Sequence, residues 1–250
     1  VATDEEGKSE EEIAIAAGMV YVLIIMLFVV IMSSGQMIAT EITTEKSSRV
    51  MEILITSVKP TTQMFGKIIG MFVVGISQVL ILIATAAVNL MLPHNKGAFE
   101  DMNIDLSAID PRMLWYALIF YLAGYMLYAT MFAAVGSIVS RTEDLGQAVM
   151  PVTVVSMVGY FIAIFGIQDP NSMLVVITSF VPFFSPFIMF LRMGTTDPAL
   201  WEVWISIGIL LVSIIALGWL SAKIYRTGVL MYGKRPSLKE IRKAMKAYKI

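Results

Sequence analysis

Apolar residues run along this chain in long windows that charged residues interrupt at intervals. Six windows lack Asp, Glu, Lys and Arg: Ile13–Thr40, Ile68–Asn95, Met113–Ser140, Leu145–Gln168, Pro170–Leu191 and Val203–Ala222. A helix needs about 20 apolar residues to cross a hydrocarbon core about 30 Å thick. The windows meet or nearly meet that length, and they are too apolar for amphipathic surface helices. The period-two alternation of a membrane barrel is missing. Helices are then the remaining way for the backbone to satisfy its polar groups in lipid. The fifth window differs from the rest. It reads Ser179-Phe-Val-Pro182-Phe-Phe-Ser-Pro186-Phe-Ile-Met-Phe-Leu-Arg192, and each proline removes a donor and crowds the preceding turn. A broken, re-entrant segment over 171–192 holds Pro182 and Pro186 better than a straight span does, if protein shields the freed carbonyls.

The distribution of charge decides the span count. The tail over 223–250 carries nine basic residues against Glu240, which places it in the cytoplasm. With five spans the acidic start, Asp4-Glu5-Glu6 and Glu10-Glu11-Glu12, lies outside, and the loop with Lys46, Arg49, Lys59 and Lys67 lies inside. Of the 18 Lys and Arg, all but Lys8, Lys96, Arg112 and Arg192 then face the cytoplasm. Six spans would put the acidic start and the basic tail on one side. The expectation is an all-α polytopic membrane protein with spans near 13–38, 68–92, 113–139, 145–168 and 200–222. A start on the outer face requires a preceding span, so the chain reads as the C-terminal part of a longer protein.

Composition narrows the chemistry. The chain has 250 residues, 58% hydrophobic and 15% charged, where soluble domains hold roughly 45–50% apolar and about 25% charged residues. Zero cysteines remove disulfides, thiolate metal sites and cysteine nucleophiles. One histidine, His94, falls short of a clustered metal site. No charged residue sits mid-span, which weakens proton relays, ion sites and intramembrane proteolysis. Gln78, Asn89, Gln147 and Ser156 are the polar candidates for a pathway; the alternative is that such residues hydrogen-bond between helices. Gly66-x-x-x-Gly70 and the row Ala129, Ala133, Gly136 and Ser140 permit close helix contact. Nineteen methionines suit adaptable apolar packing.

The loop after the first span carries the most information. Glu41, Glu45, Arg49 and Glu52 recur at i, i+4, i+8 and i+11, one stripe on a helix, with Glu45 and Arg49 spaced to pair. Val50, Ile53 and Leu54 form an apolar face, and Pro60 ends the run. The spacing predicts an amphipathic helix over 41–57, either an interfacial connector or a docking helix for a partner. In the tail, Ser237-Leu-Lys-Glu240 fits a capping box. Leu238, Ile241, Met245 and Tyr248 follow at helical spacing among basic residues, which suits an anionic lipid surface or a second partner contact.

The block Glu41-x-Thr-Thr-Glu45-Lys46-x-Ser-x-x-x-Glu52-x-Leu54, then Pro60 and Gly66-Lys67, resembles the type-2 ABC exporter permeases. The branch it resembles contains the NatB-like sodium-efflux permeases. Val181-Pro182-Phe-Phe-Ser185-Pro186 with Arg192, and Ala222-Lys223-Ile-Tyr225-Arg226-x-Gly228, resemble the same family. The resemblance implies a subunit of six spans that works with a second permease copy, in a bacterial or archaeal plasma membrane. It implies a coupling helix at Glu41, Glu45, Lys46, Arg49 and Glu52 that docks on an ATP-binding subunit, and re-entrant helices around Pro182, Pro186 and Arg192. The chain has no Gly-rich phosphate loop of its own, so ATP and Mg belong on the partner and the chain is not itself an enzyme. Neither a cofactor of its own nor nucleic acid is expected. An ion-gradient-driven carrier or channel, or a non-transporting membrane sensor, is the competing reading.

Overall fold

The computed structural model describes residues 10–92, 111–196 and 198–231. Expectations that fall on 1–9, on the loop with His94, or on the tail beyond 231 lie outside the described residues. Eight α-helices occur among the described residues: α1 (Glu10–Ser47), α2 (Val50–Ser57), α3 (Pro60–Met91), α4 (Pro111–Ile138), α5 (Leu145–Gly166), α6 (Met173–Thr178), α7 (Ser185–Thr195) and α8 (Leu200–Gly228). Five of them, α1, α3, α4, α5 and α8, are long and apolar enough to cross a membrane. The protein is all-helical and polytopic. We call the end of the bundle that carries α2 the lower end.

The helices outrun the apolar windows. α1 has 38 residues, about 57 Å at 1.5 Å per residue, so it continues well past a core about 30 Å thick. Nothing in Glu41–Ser47 breaks a helix, so hydropathy ends before the helix does. α3 opens on Pro60, a residue suited to the first helical position because its missing N–H has no acceptor there anyway. α8 runs on to Gly228, so Lys223 and Arg226 belong to its last turns. The Lys223 ammonium lies 3.7 Å from the Trp219 ring centroid, a cation–π contact that anchors the long side chain.

α4 is the hub. Phe120, Tyr125, Leu127, Tyr128, Phe132 and Ala133 are fully or almost fully buried, while α3 shows apolar residues such as Ile69, Val73 and Leu80 on its surface. Small residues set the spacing of α1 and α4. A Cβ on Gly35 would collide with the Phe132 ring, and one on Gly136 would lie 2.8 Å from the Ala39 backbone. Of the predicted row, Ala129, Ala133 and Gly136 are buried, as close contact requires, while Ser140 is half-buried and lies past the end of α4. Gly66 and Gly70 differ: a Cβ on either meets open space, so that motif holds no helix against it here.

α6 and α7 fold back into the upper half of the bundle. Ser185–Arg192 is buried on every face, the condition of a helix that is apolar all round. Pro186 sits in the first turn of α7, where its missing donor costs nothing, and Pro182 lies in the turn before it. The Tyr128 hydroxyl donates to the Phe183 carbonyl at 2.6 Å. Tyr128 is about 15 Å above the lower end of α4, so the turn reaches near the middle of the bundle. Gly124 against Pro186 and Gly159 against Phe184 make room for it.

Candidate functional site

The lower end gathers most of the charged residues singled out from the sequence, in an arrangement that periodicity alone does not give. The stripe Glu41–Glu45–Arg49–Glu52 is not on one helix. α1 ends at Ser47 and α2 begins at Val50, with Arg49 between them at φ 62°, the one non-glycine residue with positive φ among those described. A left-handed residue just past a helix end is a common stop, normally taken by Gly; an L-residue there costs about 1–2 kcal/mol. The expected helix over 41–57 is therefore two elements with a bend at Arg49. Glu41, Glu45 and Lys46 lie on the last turns of the first long helix, and Glu52 lies on α2.

The bend redirects the pairing. Glu45 Oε1 accepts from Lys67 Nζ at 2.6 Å, and Glu41 Oε1 accepts from the same ammonium at 2.7 Å. The expected Glu45–Arg49 pair gives way to this bridge from α1 to α3, because Arg49 lies beyond the helix end and leaves the i+4 register. Lys67 lies outside the Glu41–Glu52 stripe and opens the next span. A lone lysine opening an apolar window, with two glutamates a turn apart on the previous helix, is the signal that finds it. Between α1 and α3 lies a cleft of about 390 Å³, with Glu41, Glu45 and Lys67 on its polar side and Leu54, Met71 and Val74 on its apolar side. Gln63 closes the turn below, its Nε2 donating to the Val58 carbonyl at 2.9 Å.

Lys46 is corrected in role. It was expected on the docking surface, yet it is fully buried. Its ammonium donates to the carbonyls of Ser137 at 2.7 Å, Ile138 at 3.4 Å and Gly228 at 2.7 Å. These carbonyls belong to the C-terminal ends of α4 and α8, where helices leave acceptors unmatched and carry partial negative charge. Lys46 therefore works inside the fold and is out of reach of a partner's surface. Thr43 adds a bond beside it, Oγ1 to the Gly136 carbonyl at 3.1 Å.

α2 presents the exposed surface of this end. Met51 is its buried residue, and it joins the hydrophobic core. Glu52 is exposed, and Ile53 is 70% exposed. Arg49 is exposed beside them. The result is an apolar tip flanked by one acid and one base, on a short helix held by the bend, the buried Met51 and the partly buried Ile55.

The other candidates are dispersed. Arg192 is buried on α7, with Nη2 donating to Glu202 Oε2 at 2.6 Å and Nη1 to Ser179 Oγ at 3.1 Å. Ser206 Oγ donates to the Ser179 carbonyl at 2.8 Å, so α8 is stitched to the turn before α7. Glu202, in the first turn of α8, was not chosen from the sequence. Among the pathway candidates, Asn89 donates back to the Thr85 carbonyl. Ser156 is buried, with contacts to the Thr153 carbonyl and the Met32 sulfur. Gln78 is half-buried on α3 and Gln147 exposed near the start of α5. They do not converge on one polar lining. Among the described residues no group of three or more His, Asp or Glu is placed to hold a metal ion.

Comparison with known proteins places this architecture. No solved structure matches the chain. It is 41% identical over 250 residues to the uncharacterized protein YhaP of Bacillus subtilis (strain 168), covering 99% of this chain and 60% of that one. It is 28% identical over 218 residues to the uncharacterized protein MJ1024 of Methanocaldococcus jannaschii, covering 87% of this chain and 51% of that one. The chain thus spans between half and two thirds of the length of these relatives. A family model described as ABC-2 family transporter protein matches residues 2–223. With nearly the whole chain matched, including the long helices, the bend and the buried α7, this protein belongs to the ABC-2 family of transporter proteins.

Proposed function

We propose that the chain is the membrane-spanning permease part of an ATP-driven exporter, and that α2 docks on a separate ATP-binding subunit. Family membership supports a transporter. The observation that carries the docking reading is α2 itself. Val50, Ile53 and Val58 are all exposed on and just after α2, and a short apolar-tipped helix on a bend fits a groove in a partner. Binding and hydrolysis of ATP with Mg occur on that partner. Its closure displaces α2, and the bundle shifts between two packed arrangements. A second permease copy completes the path. The relatives in Bacillus subtilis and Methanocaldococcus jannaschii support a bacterial or archaeal plasma membrane as the location. Sodium efflux is carried by sequence resemblance alone, and among the described residues no group of three or more His, Asp or Glu is placed to hold a bare cation.

The geometry also selects the variants. Glu45 is engaged with Lys67, so reversing it perturbs the fold as well as any docking surface. Glu52→Lys and Ile53→Asp alter exposed side chains only. The full-length protein is purified gently from its own membrane and its companions identified. A stoichiometric ATP-binding subunit should be retained by the wild type and lost from both variants. Retention by both, with unchanged ATP hydrolysis, removes α2 as the docking element; absence of such a subunit from the wild type removes the exporter reading.

A further inference from the structure

We propose that Lys46 is the positioning residue that ties the lower end of α8 to the α1–α4 pair, so that a push on α2 reaches α8 through it. The inference rests on the reading that α2 meets a partner. Two helix C-termini would ordinarily repel where they converge, since each carries partial negative charge. Here the ends of α4 and α8 converge closely: a Cβ on Gly228 would lie 2.9 Å from the Ser137 backbone. The Lys46 ammonium donates to carbonyls of both ends and its own helix supplies the third wall. An ammonium has three protons and no acceptor, which suits carbonyls from two helices. The contact of Gly136 with the Ala39 backbone and the Thr43 bond lock α1 to α4 at the same level.

The links on either side are softer. α2 hangs from α1 by the left-handed Arg49, and only Met51, with Ile55 partly buried, packs it against the core. At the lower end α3 joins α1 through Lys67 and two glutamate side chains, of which Glu41 is 40% exposed, and it packs on α1 higher up, where Gly75 meets Ser34 and Val30. Lys46 precedes the bend by three residues. A load on α2 therefore enters α1 immediately below a clasp of backbone contacts and charge-assisted hydrogen bonds, and the clasp shares it with α4 and α8.

The test uses spin-label pairs in the full-length protein with its ATP-binding subunit. Absence of cysteine from this chain lets single pairs be placed cleanly wherever the rest of the protein is also free of it or made so. Labels at Thr44→Cys and Leu230→Cys report the clasp, and labels at Met150→Cys with Leu230→Cys or Thr56→Cys report motion against α5. In the wild type, nucleotide should leave the Thr44–Leu230 distance unchanged and shift both Met150 distances. In Lys46→Met, which keeps the apolar stem and loses the ammonium, the Thr56 shift should persist while the Leu230 shift is lost. Transmission of the full shift to Leu230 in Lys46→Met overturns the proposal, and so does a Thr44–Leu230 distance that changes with nucleotide in the wild type. If Lys46→Met does not assemble, the wild-type pair decides. If no ATP-binding subunit is found, the proposed function fails separately. The clasp then stands or falls on whether Lys46→Met broadens the Thr44–Leu230 distribution in the permease alone.

Discussion

Arg192 is nearly sealed from the surface, and both of its hydrogen-bond partners come from other elements, Ser179 before α7 and Glu202 on α8. A buried pair contributes little net stability as a pair, but stripping one partner leaves an uncompensated charge at roughly 3–5 kcal/mol. Glu202→Gln should therefore lower the thermal unfolding temperature sharply in detergent. The double change Arg192→Met with Glu202→Met should recover much of the loss. Equal losses in the single and double variants would show that the charges are uncoupled. Arg49 separates backbone from side chain. Arg49→Gly relieves the left-handed strain, so stability should hold or rise by about 1 kcal/mol, while any docking contribution of the guanidinium disappears. Measuring unfolding and ATP hydrolysis on the same variant distinguishes the two. The roles of Arg192 and Lys46 were not legible in the sequence. Each sits near the end of an apolar window, where a long basic side chain ordinarily reaches for water, and their acceptors lie 10 to 182 residues away along the chain.

Among the elements, the long helices were legible because charges are excluded from their apolar stretches, and α7 because two prolines forbade a straight span. The division between α1 and α2 was hidden. Glutamates and arginine recur at helical spacing straight through the bend, and neither Gly nor Pro marks Ser48-Arg49. The Gly66-x-x-x-Gly70 motif misled in the other direction, since small residues permit a close contact without requiring one. Gly136 and Gly35 show the requirement. Gly136→Ala pushes α1 from α4, a form of overpacking that costs typically about 1–3 kcal/mol; Gly66→Ala and Gly70→Ala, in open space inside a helix, should hold or raise stability, by up to about 1 kcal/mol each. A destabilised Gly70→Ala would mean that α3 carries a close neighbour in the membrane. On α7, Tyr128→Phe removes the bond to the Phe183 carbonyl, a cost of about 1–3 kcal/mol for an acceptor left unmatched. Amide exchange should rise first in the turn over 179–185.

For the whole molecule, the charge-free windows and the basic tail determined a five-span reading, and the described helices have the lengths it needs. The sidedness is directly testable. Single cysteines at Thr56 on α2 and at Asp169, in the turn after α5, should react with an impermeant maleimide from opposite faces of sealed vesicles. Reaction from one face would require a different number of crossings. What the windows could not supply is depth: hydropathy treats α7 as one more apolar stretch, although its surroundings are protein on every side. That enclosure has a consequence for biosynthesis. Arg192 leaves the ribosome ten residues before Glu202, and the walls of its pocket include α8, which is made after it. Until α8 arrives, the segment from Ser179 to Arg192 has a buried cation with no counter-charge and an apolar hairpin with no roof. It must wait at the membrane surface or in the insertion machinery, so a ribosome stalled before α8 should leave this segment open to protease, and completion of α8 should close it.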